Sequence, residues 1–383
     1  MQDFISRGFG FYRGRVGLAA ILRALGVGAG DEVAIQAFTC IAVPEAVLAL
    51  GASPVYVDMT PGRFTTDPVD LERKITDGTR AIVIQHTYGI PADISSLTEI
   101  ADRHGIPLIE DCCHTVATSI NGKLLGSFGV AGFYSFEAGK PIIAGLGGWV
   151  TVNEPSLERV LRDIHSKMAT PSSTRQLQIW GMYSAVRYLY RPATFWHLRK
   201  LHRTLSRFGL SLGNFDHDRK LEQNLDQLPE ESGKGGAWAT FDYDLKLGET
   251  QFKAVKRQLK GLADQSWHRK EITKIYREEI LSNRFQHPIL PRKSDPVLVR
   301  YPLMHEDKDR LLSLAQENGI ELSDNFSSPV HPLARDDWPS VGYQDGSCCN
   351  AQFAAERTFA LPTHASVAPK EARRIIRFLE KFS

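Results

Sequence analysis

The chain has 383 residues, 42% hydrophobic and 23% charged, with a formal net charge of +2, which allows two domains with real cores and gives no reason to expect a nucleic-acid partner. Its five cysteines (Cys40, Cys112, Cys113, Cys348, Cys349) are odd in number and lack CxxC spacing, so neither a disulfide framework nor a cysteine metal site is expected, and a reducing cytoplasm is the simplest setting. The opening residues form no apolar signal region, and no apolar run approaches the ~18 residues of a membrane span.

Taken in chain order, residues 14–153 alternate helix and strand. A helix over 16–25 stops at Gly26, a strand covers 32–38, and a helix over 41–50 stops at Gly51. Strands follow over 54–58 and 80–86, then a helix over 93–104 capped near Asp93 or Ser95, then strands over 106–109, 131–136 and 149–152. Short apolar strands alternating with helices predict an α/β fold: a three-layer, mostly parallel sheet with ligands beyond the strand C-termini. The stretch 165–235 interrupts the pattern as a basic, aromatic, helical insertion. A long helix is expected over 247–281, then a strand over 296–301, a helix over 307–317 and a terminal helix over 369–382. The predicted division is a large domain over 1–255 and a smaller α+β domain over 256–383.

The chemistry concentrates at two motifs. Asp111 closes an apolar strand in Ile-Pro-Leu-Ile-Glu-Asp111-Cys-Cys-His114, and Lys140 follows twenty-nine residues later in a small, Gly-rich turn. A buried acid and a lysine in this order suit pyridoxal 5′-phosphate (PLP), which needs an amine for its aldehyde and a carboxylate for its ring nitrogen. Asp111 could instead cap the next helix, Ser135 be a plain strand residue and His114 a satisfied histidine at a strand end. The histidines and acids show no metal-ligand spacing.

These segments, in order and spacing, resemble the DegT/StrS-like sugar aminotransferase family of PLP transferase fold type I. The matching stretches are Gly30-Asp-Glu-Val33, Ala37-Phe-Thr39, Pro54-Val-Tyr-Val-Asp58 and His86-Thr-Tyr-Gly-Ile-Pro-Ala-Asp93. They continue with Ile109-Glu-Asp111, Gly126-Ser-Phe-Gly129, Phe133-Tyr-Ser-Phe136 with Lys140, Gly147-Gly148, Glu249-Thr-Gln251 and Leu361-Pro362. The resemblance implies that Lys140 carries the cofactor and shuttles the proton, while Asp111 pairs with the pyridinium. It places His114 at the cofactor ring or its phenolic oxygen, Ser135 at the phosphate, and Thr39 with Cys40 beside the ring. His86, Tyr88 and His331 become candidates for the substrate pocket. A homodimer with shared active sites is implied, with Asp244 crossing the interface.

The chain also departs from that pattern. Arg13-Gly14-Arg15 replaces a Ser-Gly-Thr turn at the phosphate, Asp244 replaces an Asn, Cys40 an aromatic, Pro141 an Asn and Leu146 a Glu. Relatives carry about thirty more residues ahead of the first helix. A compensating arrangement is expected in which Arg15 binds the phosphate and pairs with Asp244. The reading is an aminotransferase loading an amino acid, glutamate by resemblance, and aminating a nucleotide- or lipid-linked keto-sugar. The rivals are a non-catalytic regulatory or scaffold descendant and a PLP lyase or dehydratase.

The insertion has its own charge signature. Residues 165–215 hold eight basic and no acidic residues, so at a net charge of +2 the remainder carries −6. Ile179, Met182, Tyr183, Val186 and Tyr190 share one helical stripe, and Leu198, Leu201, Leu205 and Phe208 another. Such helices suit a membrane surface through 175–210, at the inner face of a membrane, or equally a subunit contact or a lid over an anionic substrate; the remaining alternative is a plain solvated face. If lipid is the partner, anionic vesicles bind the full-length protein and deletion of 175–210 abolishes binding; equal binding after deletion removes the idea.

Overall fold

The computed structural model describes residues 8–189, 194, 197, 243–292 and 294–382. Strand β1 (Gly8–Phe11) leads into helix α1 (Gly14–Ala24). Then come β2 (Glu32–Gln36), β3 (Thr39–Cys40), α2 (Ala42–Leu48), β4 (Ser53–Val57), α3 (Pro68–Lys74), β5 (Thr79–Gln85) and α4 (Ile94–His104). Strand β6 (Leu108–Asp111), the hairpin β7 (Ser119–Ile120) and β8 (Lys123–Leu124), β9 (Ala131–Ser135) and β10 (Gly148–Val152) follow, with α5 (Pro155–Lys167) and α6 (Ser173–Leu189). Beyond them lie α7 (Glu249–Lys260), α8 (Leu262–Glu279), β11 (Ser294–Asp295), β12 (Arg300–Met304), α9 (Lys308–Glu317), β13 (Val330–His331), α10 (Cys349–Arg357), β14 (Thr358–Pro362) and α11 (Pro369–Leu379).

Seven strands form one sheet in the order β1-β10-β9-β6-β5-β2-β4. Strand β10 is antiparallel to both neighbours and the other pairings are parallel. The period-2 geometry of a strand explains why these sequences read as continuous apolar runs. Val33, Ile35, Val83, Ile109 and Phe133 enter one core with α1, whereas Ala34, Ile82, Ile84, Leu108 and Tyr134 enter the core on the other face with α4. Burying both faces contributes roughly 1.5–3 kcal/mol per large apolar side chain, and so fixes the register that brings the strand ends together.

The expected mostly parallel α/β sheet is present. Helix α4 is capped by the Asp93 carboxylate, which accepts from the Ser96 N–H. Three expectations need correction. The strand over 32–38 stops at Gln36, because Phe38 turns the chain at φ 64°. The single helix over 247–281 is two helices, broken at Gly261, which ends α7 and begins α8; apolar spacing continues through both and hides the break. The strand over 296–301 begins only at Arg300, since Val297 N–H donates to Thr118 Oγ1 and Val299 N–H to the Tyr88 carbonyl instead of to a neighbouring strand.

Of the insertion, α6 lies within the described residues. Its Ile179 and Tyr183 are buried, and a Cβ at Gly145 would stand 2.8 Å from the Ile179 carbonyl, so these two residues pack on the loop that follows Lys140. Leu177, Trp180 and Tyr188 are exposed. The second stripe (Leu198, Leu201, Leu205, Phe208) lies outside the described residues. No described helix is long and apolar enough to cross a membrane.

Candidate active site

Parallel pairing of β5, β6 and β9 delivers chemistry to one edge. Asp111 ends β6 opposite Gln85 of β5 and Phe133 of β9, and Ser135 ends β9. The chain then turns back at Gly139 (φ 82°), with Lys140 N–H donating to the Glu137 carbonyl. Lys140 Nζ comes to 3.0 Å from His114 Nε2. Nδ1 of that ring accepts from the Tyr88 N–H at 3.1 Å. Burial, with neighbouring Lys140 and Arg300, holds His114 well below the ordinary histidine range.

Asp111 is buried, and its Oδ1 accepts from the Cys113 N–H at 2.8 Å. Among the described residues no basic nitrogen forms an ion pair with it. Burial therefore pushes its carboxyl up, although the Cys113 bond and Lys140 oppose this. An acid so placed is suited to a cation that the described residues do not supply.

Beside it, α1 begins at Gly14, and its N-cap residue Arg13 makes no side-chain cap bond. A Cβ at Gly14 would stand 3.2 Å from Ser135 Cβ, and one at Gly148 would meet the Arg13 carbonyl at 2.4 Å. Glycine thus keeps the helix end closely applied to Ser135, in a cradle suited to a phosphate. Amine, buried acid and helix N-terminus together fit PLP.

Other candidates take different places. Arg15 is buried and pairs with Glu45 of α2, while Asp244 is exposed; the expected Arg15–Asp244 pair is one between subunits. Burial opposes a charged Arg15, but Glu45 and Glu137 outweigh it and hold the guanidinium pKa above its ordinary value. Thr39 spends its hydroxyl on Gln85 Oε1 at 2.6 Å. Cys40 pairs with His331 along the β3–β13 ladder, whose other pair is Thr39 with Val330. His331 Nδ1 accepts from the Ser327 N–H at 3.1 Å.

His86 is fully buried. Its Nδ1 accepts from the Ala92 N–H and its Nε2 lies 3.2 Å from Glu110 Oε2, so both ring nitrogens are engaged within the fold. Glu110 also accepts from Gly126, Phe128 and Gly129 N–H groups. Cys112 lies close enough to this pair to resemble a metal triad, but those bonds already occupy the histidine and the carboxylate. Tyr88 donates its hydroxyl to the Asn325 carbonyl at 3.0 Å, and its backbone, not its side-chain oxygen, reaches the site.

A lysine and a buried acid at the C-terminal edge of such a sheet place the protein in the fold class of the PLP-dependent aminotransferases. More narrowly, the chain belongs to the DegT/DnrJ/EryC1/StrS aminotransferase family, which matches residues 10–187 and 197–380. It is 41% identical over 163 residues to the UDP-N-acetyl-3-dehydro-alpha-D-glucosamine 3-aminotransferase of Acidithiobacillus ferrooxidans. That match spans 42% of this chain and 44% of the relative, less than half of either. It is 25% identical over 380 residues to a pleiotropic regulatory protein of Geobacillus stearothermophilus, across 98% of this chain and 84% of the relative. Among solved structures, S. venezuelae DesV in complex with ketimine intermediate superposes with a TM-score of 0.72 at 26% identity, covering 98% of this chain and 84% of that one.

Proposed function

We propose that the protein is a PLP-dependent aminotransferase that moves an amino group from an amino acid to a keto-sugar. The observation that carries this reading is Lys140 held at 3.0 Å from His114, beside a buried Asp111 that has no ion pair among the described residues. PLP, when bound, supplies an aldehyde for an amine and a ring nitrogen that draws electrons when protonated. Asp111 would hold that proton on the ring nitrogen, and the α1 N-terminus with Gly14, Ser135 and the Arg15 guanidinium would take the phosphate. Lys140 Nζ would then be the base that removes a proton from the amino donor and returns it to the acceptor. His114 would orient the amine. Active sites shared between two subunits, with Asp244 facing the partner, belong to the same proposal.

Acceptor and donor chemistry rest on the relatives. One is named for a keto-derivative of a UDP-sugar, and one of Streptomyces griseus, 42% identical over 141 residues, as an L-glutamine:scyllo-inosose aminotransferase. Glutamine, and glutamate by the family resemblance, are the donors to try, against nucleotide-linked and free keto-sugars and the lipid-linked ones that the basic insertion suggests. The regulatory relative keeps a non-catalytic role in view, but intact Lys140 and Asp111 favour chemistry.

The test is an absorption spectrum after incubation with PLP, beside Lys140→Ala. The expected result is a visible band that requires Lys140, bleaches on adding glutamate or glutamine, and releases the matching keto acid. No lysine-dependent band at saturating PLP would overturn the reading in favour of a scaffold. Ammonia or water released without a keto acid would point to a lyase or dehydratase.

A further inference from the structure

We propose that the Tyr88 turn is a positioning element: its backbone fixes His114 with the proton on Nε2, so the ring donates a hydrogen bond to the Lys140 amine only when that amine is unprotonated, and cannot serve as its base.

A backbone N–H can only donate. Tyr88 N–H lies 3.1 Å from His114 Nδ1, so Nδ1 must present its lone pair. The neutral ring then carries its proton on Nε2, the atom 3.0 Å from Lys140 Nζ. A doubly protonated ring would set two donors against each other at Tyr88. Burial, with Lys140 and Arg300, lowers the histidine pKa in the same sense.

The turn is built to hold that N–H in place. Tyr88 sits at φ 59°, ψ 3°, a left-handed backbone that a bulky residue rarely adopts. It is held from several sides. Val299 N–H donates to its carbonyl at 2.9 Å, its hydroxyl donates to the Asn325 carbonyl at 3.0 Å, and its ring stacks on His114 with centroids 6.2 Å apart. The Val299 carbonyl in turn accepts from Arg269 Nη1 at 2.9 Å and Thr363 Oγ1 at 2.8 Å. Next along the chain, Gly89 (φ 92°) lies so close to Val297 that a Cβ would meet its carbonyl at 2.4 Å. A strained turn clamped by residues more than two hundred positions away is over-determined, as a positioning device requires.

The tautomer stands on these contacts alone; only its consequence, that Lys140 does not pass its proton to His114, rests on the aminotransferase reading. The test uses full-length protein labelled with [15N]histidine, without cofactor, with the His114 signals assigned by their loss in His114→Phe. The expected result is a pyridine-type Nδ1 and a pyrrole-type Nε2, unchanged as pH passes through the ordinary histidine value of ~6.5. An Nδ1–H tautomer, or a ring that gains a proton in that range, overturns the proposal whatever the protein does with PLP.

A second readout is the pH profile of Lys140 labelling by an amine-selective reagent, followed by mass spectrometry. His114→Gln keeps the wild-type profile, because its amide oxygen can accept from Tyr88 N–H while its nitrogen donates to Lys140; His114→Phe shifts it. If the two variants behave alike, the donor–acceptor pairing has no role and the proposal fails.

Discussion

Asp111→Asn is expected to stabilise the cofactor-free protein and to slow amino transfer by at least roughly 100-fold, the usual loss when one pre-organised electrostatic group is removed. Both effects have one cause. Asp111 is buried, accepts from the Cys113 N–H, and has no ion pair among the described residues. Burial raises its pKa in the folded chain. The unfolded chain releases this proton near the ordinary value of ~3.9, and the folded chain only at higher pH. Between the two values the native state binds more protons, so stability falls as pH rises through that window and stays lower above it. Asparagine keeps an acceptor for Cys113 and removes the charge. Its advantage should therefore be present at neutral pH and vanish below ~4. Saturating PLP should reverse the order, since the wild-type carboxylate then gains a cation. Urea unfolding of both proteins at acid and neutral pH, with and without PLP, measures this. Equal stability at neutral pH, or undiminished transfer by the variant, would sink the account.

The parts of the site legible in sequence were those tied to strand ends. Asp111 and Ser135 close apolar runs whose periodicity fixes the strands, and Lys140 follows in a Gly-rich turn, so chain order alone places them together. What escaped was carried by groups that leave no local mark. The Tyr88 N–H matters more than its hydroxyl, and no side-chain pattern announces a main-chain donor. His86 reads as a pocket residue because it follows a strand, yet Ala92 N–H and Glu110 engage it inside the fold. Glu45 lies thirty residues from Arg15 with no motif to join them; only the packing of α1 on α2 does so. The Gly261 break is hidden by continuing apolar spacing, and α3, although opened by an Asp67-Pro68 cap, has a single buried apolar residue, Leu71, and so no apolar period.

Glu45→Ala is expected to cost about 3–5 kcal/mol of stability, the range found when one partner of a buried ion pair is removed. Arg15 and Glu45 have side-chain exposures of 3% and 2%, so water cannot replace the lost carboxylate. The pair also sits where α1 begins beside Ser135, which separates two roles for Arg15. If it only ties α1 to α2, Arg15→Met with Glu45→Leu restores stability to within ~1 kcal/mol, since apolar replacements of a buried pair are often neutral, and PLP affinity returns as well. The expected result is that stability returns and affinity does not. A charge-assisted contact to phosphate is worth about 1.5–3 kcal/mol, or roughly 10- to 100-fold in Kd. Unfolding curves and PLP titrations of Arg15→Met, Glu45→Leu and the double variant complete the cycle. Recovery of both quantities would make Arg15 a structural residue and leave the phosphate to the α1 N-terminus, Gly14 and Ser135.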